Sequence, residues 1–229
     1  EWNFSVQRLA SDRQLLAAAE VAHRLGWYDR AIFTAEQTRE HHDFELRFIT
    51  PYREQASAAA RAQGLDEAWI YGLMRQESRF VNVARSGVGA SGLMQIMPAT
   101  ARWIAGKLGV ARADNLGDPE TNIRFGTFYL SHLLKQLDNS SVLATAGYNA
   151  GPGRAQRWRA DTALEGAVYV ETIPFLETRD YVRKVLSNAM YYAARFNQTS
   201  PLLRERLGRV PPRAGRAPAA APEDADLPS

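Results

Sequence analysis

Of the 25 acidic side chains in this 229-residue chain, one stands apart. Glu77 closes an apolar run in LMRQESRF, with Arg75 and Arg79 two residues to either side. The next acid downstream is Asp114, and the stretch between them, SRFVNVARSGVGASGLMQIMPATARWIAGKLGVARA, contains no carboxylate. The ordinary role of a lone helical glutamate is a salt bridge, here to Arg75, Arg79 or a neighbouring helix. The context offers a second role. A carboxyl at a helix end, beside a loop of small residues and Met94, Ile96 and Met97, would sit in a poorly solvated cleft. Desolvation raises a carboxyl's pKa, and a glutamic acid still protonated near neutral pH can act as a general acid. The glycines would let a polymer chain approach the backbone closely. On these residues alone the two roles stay open.

Other chemical patterns fail on context. Gly87, Gly89 and Gly92 spell G-x-G-x-x-G, but the dinucleotide fingerprint needs a buried strand before it and a βαβ unit around it; a helical pattern precedes this one. GASGL misses the G-x-S-x-G nucleophile elbow by one position and also lacks a leading strand. His41, His42 and Asp43 are adjacent, and neighbouring residues on a helix diverge by about 100°, so a solvated face is expected there and not a shared ion. DNLGDPETN lacks the order of acids in a calcium loop and reads as a turn plus a helix cap.

The elements that would position Glu77 are helical. Leu9, Leu15, Leu16, Ala19 and Ala22 recur at helical spacing and Gly26 ends the run; a second helix follows through Ala31, Ile32 and Ala35, and a third lies in YREQASAAARAQG. These pairs resemble one step of an α-solenoid. Asp66 then caps a helix with Trp69, Ile70, Leu73 and Met74 on its buried side and Glu77 near its end. Pro98 suits the first position of a helix over PATARWIAGKLG. Asp118-Pro119 opens a long amphipathic helix through Ile123, Phe125, Tyr129, Leu130, Leu133, Leu134 and Leu137. SSVLATAGYN and GPGRAQRWR read as two short helices. VYVETI is the one strand-like run, limited by Pro174 to an edge or hairpin. Thr178 is expected to cap a last helix, and from Val210 onward the sequence is poor in large apolar groups and reads as disordered.

Composition narrows the class. With 45% hydrophobic and 23% charged residues the chain is ordinary globular material, with no apolar run long enough to span a bilayer. It opens at Glu1 without a methionine, so the start reads as internal, with any targeting segment upstream. Net charge is +3, and 25 of the 28 basic residues are arginine. No Lys/Arg block interleaves with aromatics, which argues against nucleic acid. The absence of cysteine excludes thiol nucleophiles, thiolate metal sites and disulfides.

Four motifs in order, RQESRF, SGVGASGLMQIMPATA, ATAGYNAGPGR and ETIPFLETRDYV, closely resemble the catalytic domain of soluble lytic transglycosylases. The match covers roughly residues 65–196. The resemblance implies a mainly α, lysozyme-like fold with at most a very small β-hairpin. It also implies a solenoid-like helical segment over 1–64, a catalytic domain over 65–200 and a C-terminal extension over 201–229, disordered from about 210. It implies peptidoglycan as substrate and partner, a periplasmic location, and no metal or cofactor. By position Glu77 matches the family's single catalytic acid, and Ser86, Gln95, Met97, Tyr148 and Glu177 match its cleft residues. Glu177 is expected to fix Tyr148 or the sugar, and Glu171 to be structural. A family member would cut the β-1,4 bond between N-acetylmuramic acid and N-acetylglucosamine and leave a 1,6-anhydro end. The alternatives are a goose-type-lysozyme-like hydrolase or an idle peptidoglycan-binding scaffold.

Overall fold

The computed structural model describes residues 1–9, 11–110, 115–198 and 202–213. Among them, helices dominate, and several start or stop where the sequence provides a signal. The first is short, α1 (Trp2–Val6). Ser11 accepts from the Gln14 amide to cap α2 (Asp12–Arg24), and Gly26, at φ +73°, turns the chain into α3 (Tyr28–Glu36). Asp12 then reaches across the hairpin, its carboxylate receiving the backbone N–H groups of Arg39, Glu40 and His41 at 2.7–3.1 Å. Those donors hold its pKa at about 2.

The His41–Asp43 stretch is not a helix face. His42 lies against the Arg47 guanidinium, and Asp43 accepts from the Leu46 amide to cap a short α4 (Phe44–Arg47). Next, α5 (Arg53–Gln63) ends at Gly64 with φ +63°.

Asp66 caps α6 (Glu67–Ser78), which runs through the core with Trp69, Ile70, Tyr71, Gly72, Leu73 and Met74 buried. The same core takes in residues of α7 (Pro98–Leu108), α8 (Pro119–Gln136), α9 (Ser141–Ala150) and α10 (Pro152–Arg157). The last elements are β1 (Leu164–Glu165), α11 (Gly166–Thr172), α12 (Leu176–Arg195), α13 (Leu203–Leu207) and β2 (Arg209–Val210). Tyr71 and Tyr192 donate their hydroxyls to the Pro51 and Ile49 carbonyls. One apolar core therefore continues from Ile32, Phe48 and Ile49 into α6 and α12. Among the described residues, no helix is long and apolar enough to cross a membrane.

Among the described residues the fold is mainly α with one two-stranded sheet, the class expected, but three local expectations are corrected. VYVETI is helix α11. Tyr169 and Val170 are buried while Val168 is exposed, and the Tyr169 hydroxyl reaches the Ala155 carbonyl at 3.1 Å, so packing overrides the weak β preference of two valines. The sheet joins segments far apart in sequence, with Leu164 opposite Val210 and Glu165 opposite Arg209. Thr178 does not cap α12. That helix starts at Leu176, and the Thr178 hydroxyl donates to Asn149 Oδ1 at 2.7 Å.

The segment expected to be disordered from about 210 lies mostly outside the described residues. Its described start is ordered: Val210 is 2% exposed, and the Arg213 amide donates to the Ala160 carbonyl at 2.9 Å. A scarcity of apolar groups did not reveal that this one valine has a partner strand.

Gly72 sets the approach of α6 to α12. A Cβ there would lie 2.4 Å from the Val185 carbonyl oxygen and 3.0 Å from the Ala189 nitrogen. Gly106 is its control, exposed on α7 with open space where a Cβ would be. Gly72→Ala should destabilise by about 1–3 kcal/mol through overpacking. Gly106→Ala should stabilise by roughly 0.5–1 kcal/mol. Urea unfolding of the two variants reads both signs; equal midpoints would contradict the tight helix contact.

Candidate active site

Glu77 sits in the last turn of α6. Residues two apart on a helix point to nearly opposite sides, and the three charged residues divide accordingly. Arg75 pairs with Glu36 at 2.6 Å and also donates to the Arg47 carbonyl; Arg79 reaches Glu36 at 3.5 Å. Both guanidinium groups thus serve the interface with α3. Glu77 faces α12, where its Oε1 accepts a hydrogen bond from the Tyr181 hydroxyl at 2.5 Å. The salt-bridge role is not what this glutamate performs.

Burial pushes the Glu77 carboxyl up to about 7, and the Tyr181 hydrogen bond pulls in the opposite direction without overcoming it. Tyr181 itself is raised well above 10, first by burial and then by the nearby Glu77 charge. Tyr148, on α9, is likewise raised by burial, by Glu77 and by Tyr129. Both phenols stay protonated across the neutral range and remain donors. Near pH 7 the carboxyl is divided between acid and base forms, the condition for one group to give and then take a proton.

The loop from Ala84 to Met97 forms the wall beside Glu77, and α8 holds it. Asn122, fully buried, accepts from the Met94 amide at 2.8 Å and donates to the Ser91 and Leu116 carbonyls at 2.9 and 2.8 Å. The loop passes so close that a Cβ on Gly92, at φ +80°, would lie 2.1 Å from Asn122 Nδ2. Ser78, next to Glu77, donates to the Leu93 carbonyl at 2.8 Å and ties the end of α6 to the same loop.

The other expected site residues divide by role. Tyr148 donates to the Met94 carbonyl at 2.9 Å and stacks obliquely on Tyr129 at 5.5 Å. Gln95, at φ +45°, donates to the Gly92 and Ala84 carbonyls at 2.8 and 3.2 Å, so its amide braces the loop. Ser86 accepts from the Ala90 amide at 2.9 Å and closes the glycine turn. Gln95, Met97, Thr100, Tyr129, Tyr148 and Asn149 line one groove of about 290 Å³, with Met97 exposed at its edge.

Glu177 is exposed in the first turn of α12, one turn before Tyr181. The Tyr148 hydroxyl donates to the Met94 carbonyl, so the expected Glu177–Tyr148 link is not the one that fixes this phenol. Glu171 is exposed and accepts two bonds from the Arg183 guanidinium, one at 2.9 Å, a structural clamp between α11 and α12. Among the described residues, no group of three His, Cys, Asp or Glu side chains could hold a metal ion.

Sequence reasoning missed Tyr181 and Asn122. Tyr181 lay within ETIPFLETRDYV, and its signal was a polar-tipped residue on the buried stripe of a long helix. Asn122 gave a similar signal, an amide in line with Ile123 and Phe125.

A lysozyme-like helical fold with a half-buried glutamic acid beside a groove defines the class, and comparison with known proteins narrows it. Three family models match in succession. They are the soluble lytic murein transglycosylase L domain over residues 1–43, the transglycosylase SLT domain over 54–167 and the soluble lytic transglycosylase helical domain over 172–201. The chain is 34% identical over 209 residues to the soluble lytic murein transglycosylase of Salmonella typhimurium, covering 89% of this chain and 32% of that protein. Its fold matches an inactive Glu→Gln mutant of the lytic transglycosylase Slt from Pseudomonas aeruginosa. That match has a TM-score of 0.81 and 42% identity, over 87% of this chain and 33% of the other. The 70 kDa soluble lytic transglycosylase from Escherichia coli matches with a TM-score of 0.78 and 30% identity, over 90% and 33%. The chain belongs to the soluble lytic transglycosylase family. It spans about a third of the length of these relatives.

The raised pKa fixes a sign for stability. Glu77 is raised from 4.5 to about 7 in the folded protein, so its contribution is fully present below pH 4.5 and is lost as pH rises through 7. Glu77→Gln removes this titration. The variant should gain in melting temperature over the parent as pH rises from 4.5 to 7, with the gap constant above that range. Thermal unfolding at pH 4, 6 and 8 measures it, and a gap that does not change with pH would contradict the buried-acid assignment.

Proposed function

We propose that this chain is the catalytic part of a peptidoglycan lytic transglycosylase that leaves 1,6-anhydro-N-acetylmuramic acid ends. The observation that carries the reading is the buried carboxyl of Glu77, raised to about 7 and held by the Tyr181 hydroxyl. Protonated Glu77 donates its proton to the oxygen of the β-1,4 bond between N-acetylmuramic acid and N-acetylglucosamine as the C1–O bond breaks. The muramoyl N-acetyl carbonyl stabilises the developing cation from within the substrate. Glu77, now a carboxylate, takes the proton from the muramoyl C6 hydroxyl, whose oxygen bonds to C1 and closes the anhydro ring. The acid is regenerated, consistent with microscopic reversibility. The attacking hydroxyl belongs to the same sugar, so proximity replaces a bound water.

Tyr181 would orient the carboxyl through both half-reactions. Tyr148 and the braced loop containing Ser86, Gln95 and Met97 would shape the groove for the sugars. Two-carboxylate glycosidases need a second acid across the bond; Glu171 is committed to Arg183, and Glu177 stands exposed one turn from Tyr181. That leaves a hydrolase with Glu177 as its base as the competing reading, and an idle binding scaffold as the other. The same proposal includes a periplasmic location, peptidoglycan strands as the partner, and the division into residues 1–64, 65–200 and 201–229. Support comes also from the relative in which a Glu→Gln change gives an inactive protein.

Two measurements check this. Glu77→Gln should lower cleavage by roughly 10²–10⁴-fold, the range of general acid–base catalysis, with glycan binding retained; activity within a few-fold of the parent would remove Glu77 from the mechanism. Digestion of purified sacculi in ¹⁸O-labelled water should give unlabelled anhydro ends, lighter by one water than hydrolysis products. Labelled, reducing muramoyl ends as the main product would establish the hydrolase instead.

A further inference from the structure

All the sulfur of this chain is in four methionines, since it has no cysteine. Met74 and Met94 are fully buried, and Met94 packs so closely on α8 that a Cβ on Gly126 would lie 2.3 Å from its Sδ. Met190, on α12, is half-buried and stands outside the groove lining. Met97 differs on both counts. It is 40% exposed, and it lines the groove with Gln95, Thr100, Tyr129 and Tyr148. The backbone fixes its place there. Gln95 braces the loop two residues earlier, and α7 starts from Met97, whose carbonyl receives the Ala101 amide at 2.9 Å.

We propose that Met97 is an oxidation site through which a peroxide reversibly lowers glycan cleavage. This rests on the glycan-cleaving reading above. Exposure decides which thioether an oxidant reaches first, and no thiol in the chain competes for it. Hydrogen peroxide transfers one oxygen atom to Sδ as its O–O bond breaks. The sulfur gives up two electrons, and the products are the sulfoxide and water. A methionine sulfoxide reductase reverses the step, oxidising a dithiol to a disulfide and releasing the oxygen as water. The oxidised groove edge is a different surface. A thioether is apolar and flexible enough to follow an uneven partner, whereas the sulfoxide is polar and chiral. Its oxygen needs a hydrogen-bond donor when a sugar covers it, and burial without one is costly. Two donors of the groove wall are already engaged, the Tyr148 hydroxyl by the Met94 carbonyl and the Gln95 amide by the Gly92 and Ala84 carbonyls. Glu77 is unchanged by the step, so oxidation acts on how the groove holds the glycan and not on the proton transfers.

The test treats the chain with graded hydrogen peroxide, maps sulfoxide by peptide mass spectrometry and measures initial rates on purified sacculi. Met97 should be oxidised first. As it converts, kcat/KM should fall by about ten-fold, the low end of what one altered group costs in an apolar pocket. The two reductases specific for the two sulfoxide epimers, supplied with dithiothreitol, should restore the rate. The same dose should leave the far-ultraviolet circular dichroism unchanged. Met97→Leu, compared with its own untreated rate, should keep that rate under peroxide, whereas Met190→Leu should stay as sensitive as the parent. Several results would overturn the switch and leave the cleavage reaction intact: oxidation of Met190 ahead of Met97, full conversion of Met97 without loss of rate, a loss that the reductases do not reverse or that comes only with unfolding, or equal sensitivity in Met97→Leu. Failure of the untreated parent to cleave sacculi would overturn the glycan-cleaving reading itself, and the switch with it.

Discussion

A partly desolvated carboxyl held by one phenol is the contact on which this structure turns. Burial raises Glu77, the Tyr181 bond at 2.5 Å lowers it, and burial wins by enough to leave the group near neutrality. The distance between the two residues is set elsewhere, by the close approach of α6 and α12 at Gly72. The loop beside the carboxyl is held in turn by Asn122, Ser78 and the left-handed Gly92. Loss of any of these would relax the site without touching the acid itself.

The flanking arginines show what must be kept away. A guanidinium within about 4–6 Å favours the ionised carboxylate and can lower its pKa by 1–3 units. Such an acid could not donate a proton at neutral pH. Glu36 engages Arg75 and Arg79 on the far side of α6, so the nearest cations in sequence belong to the junction with α3. The N-terminal helices thus take part in the electrostatics of the site, although among the described residues they contribute none to the groove.

The helices and their caps were legible because Asp66, Pro98, Asp118 and Gly64 carry local signals that tertiary packing reinforces. Glu77 was legible as a candidate because its surroundings were free of other acids. What could not be read was long-range. VYVETI has the composition of a strand, and burial of Tyr169 and Val170 in the core accompanies its folding as a helix up to Thr172. The pairing of Leu164 with Val210 joins segments with no shared local pattern. Tyr181 lies 104 residues from the carboxyl it holds. Ser86 and Gln95 were read as cleft residues, and their side-chain bonds to backbone show that they first build the loop forming the cleft.

The central claim is that Glu77 is held protonated up to neutral pH. Following the carboxyl ¹³C resonances of glutamate-labelled protein from pH 3 to 9, with Glu77→Gln to assign the signal, reads this directly. The account predicts that the Glu77 resonance titrates with a midpoint near 7. A midpoint near the ordinary glutamate value of about 4.3 would contradict it.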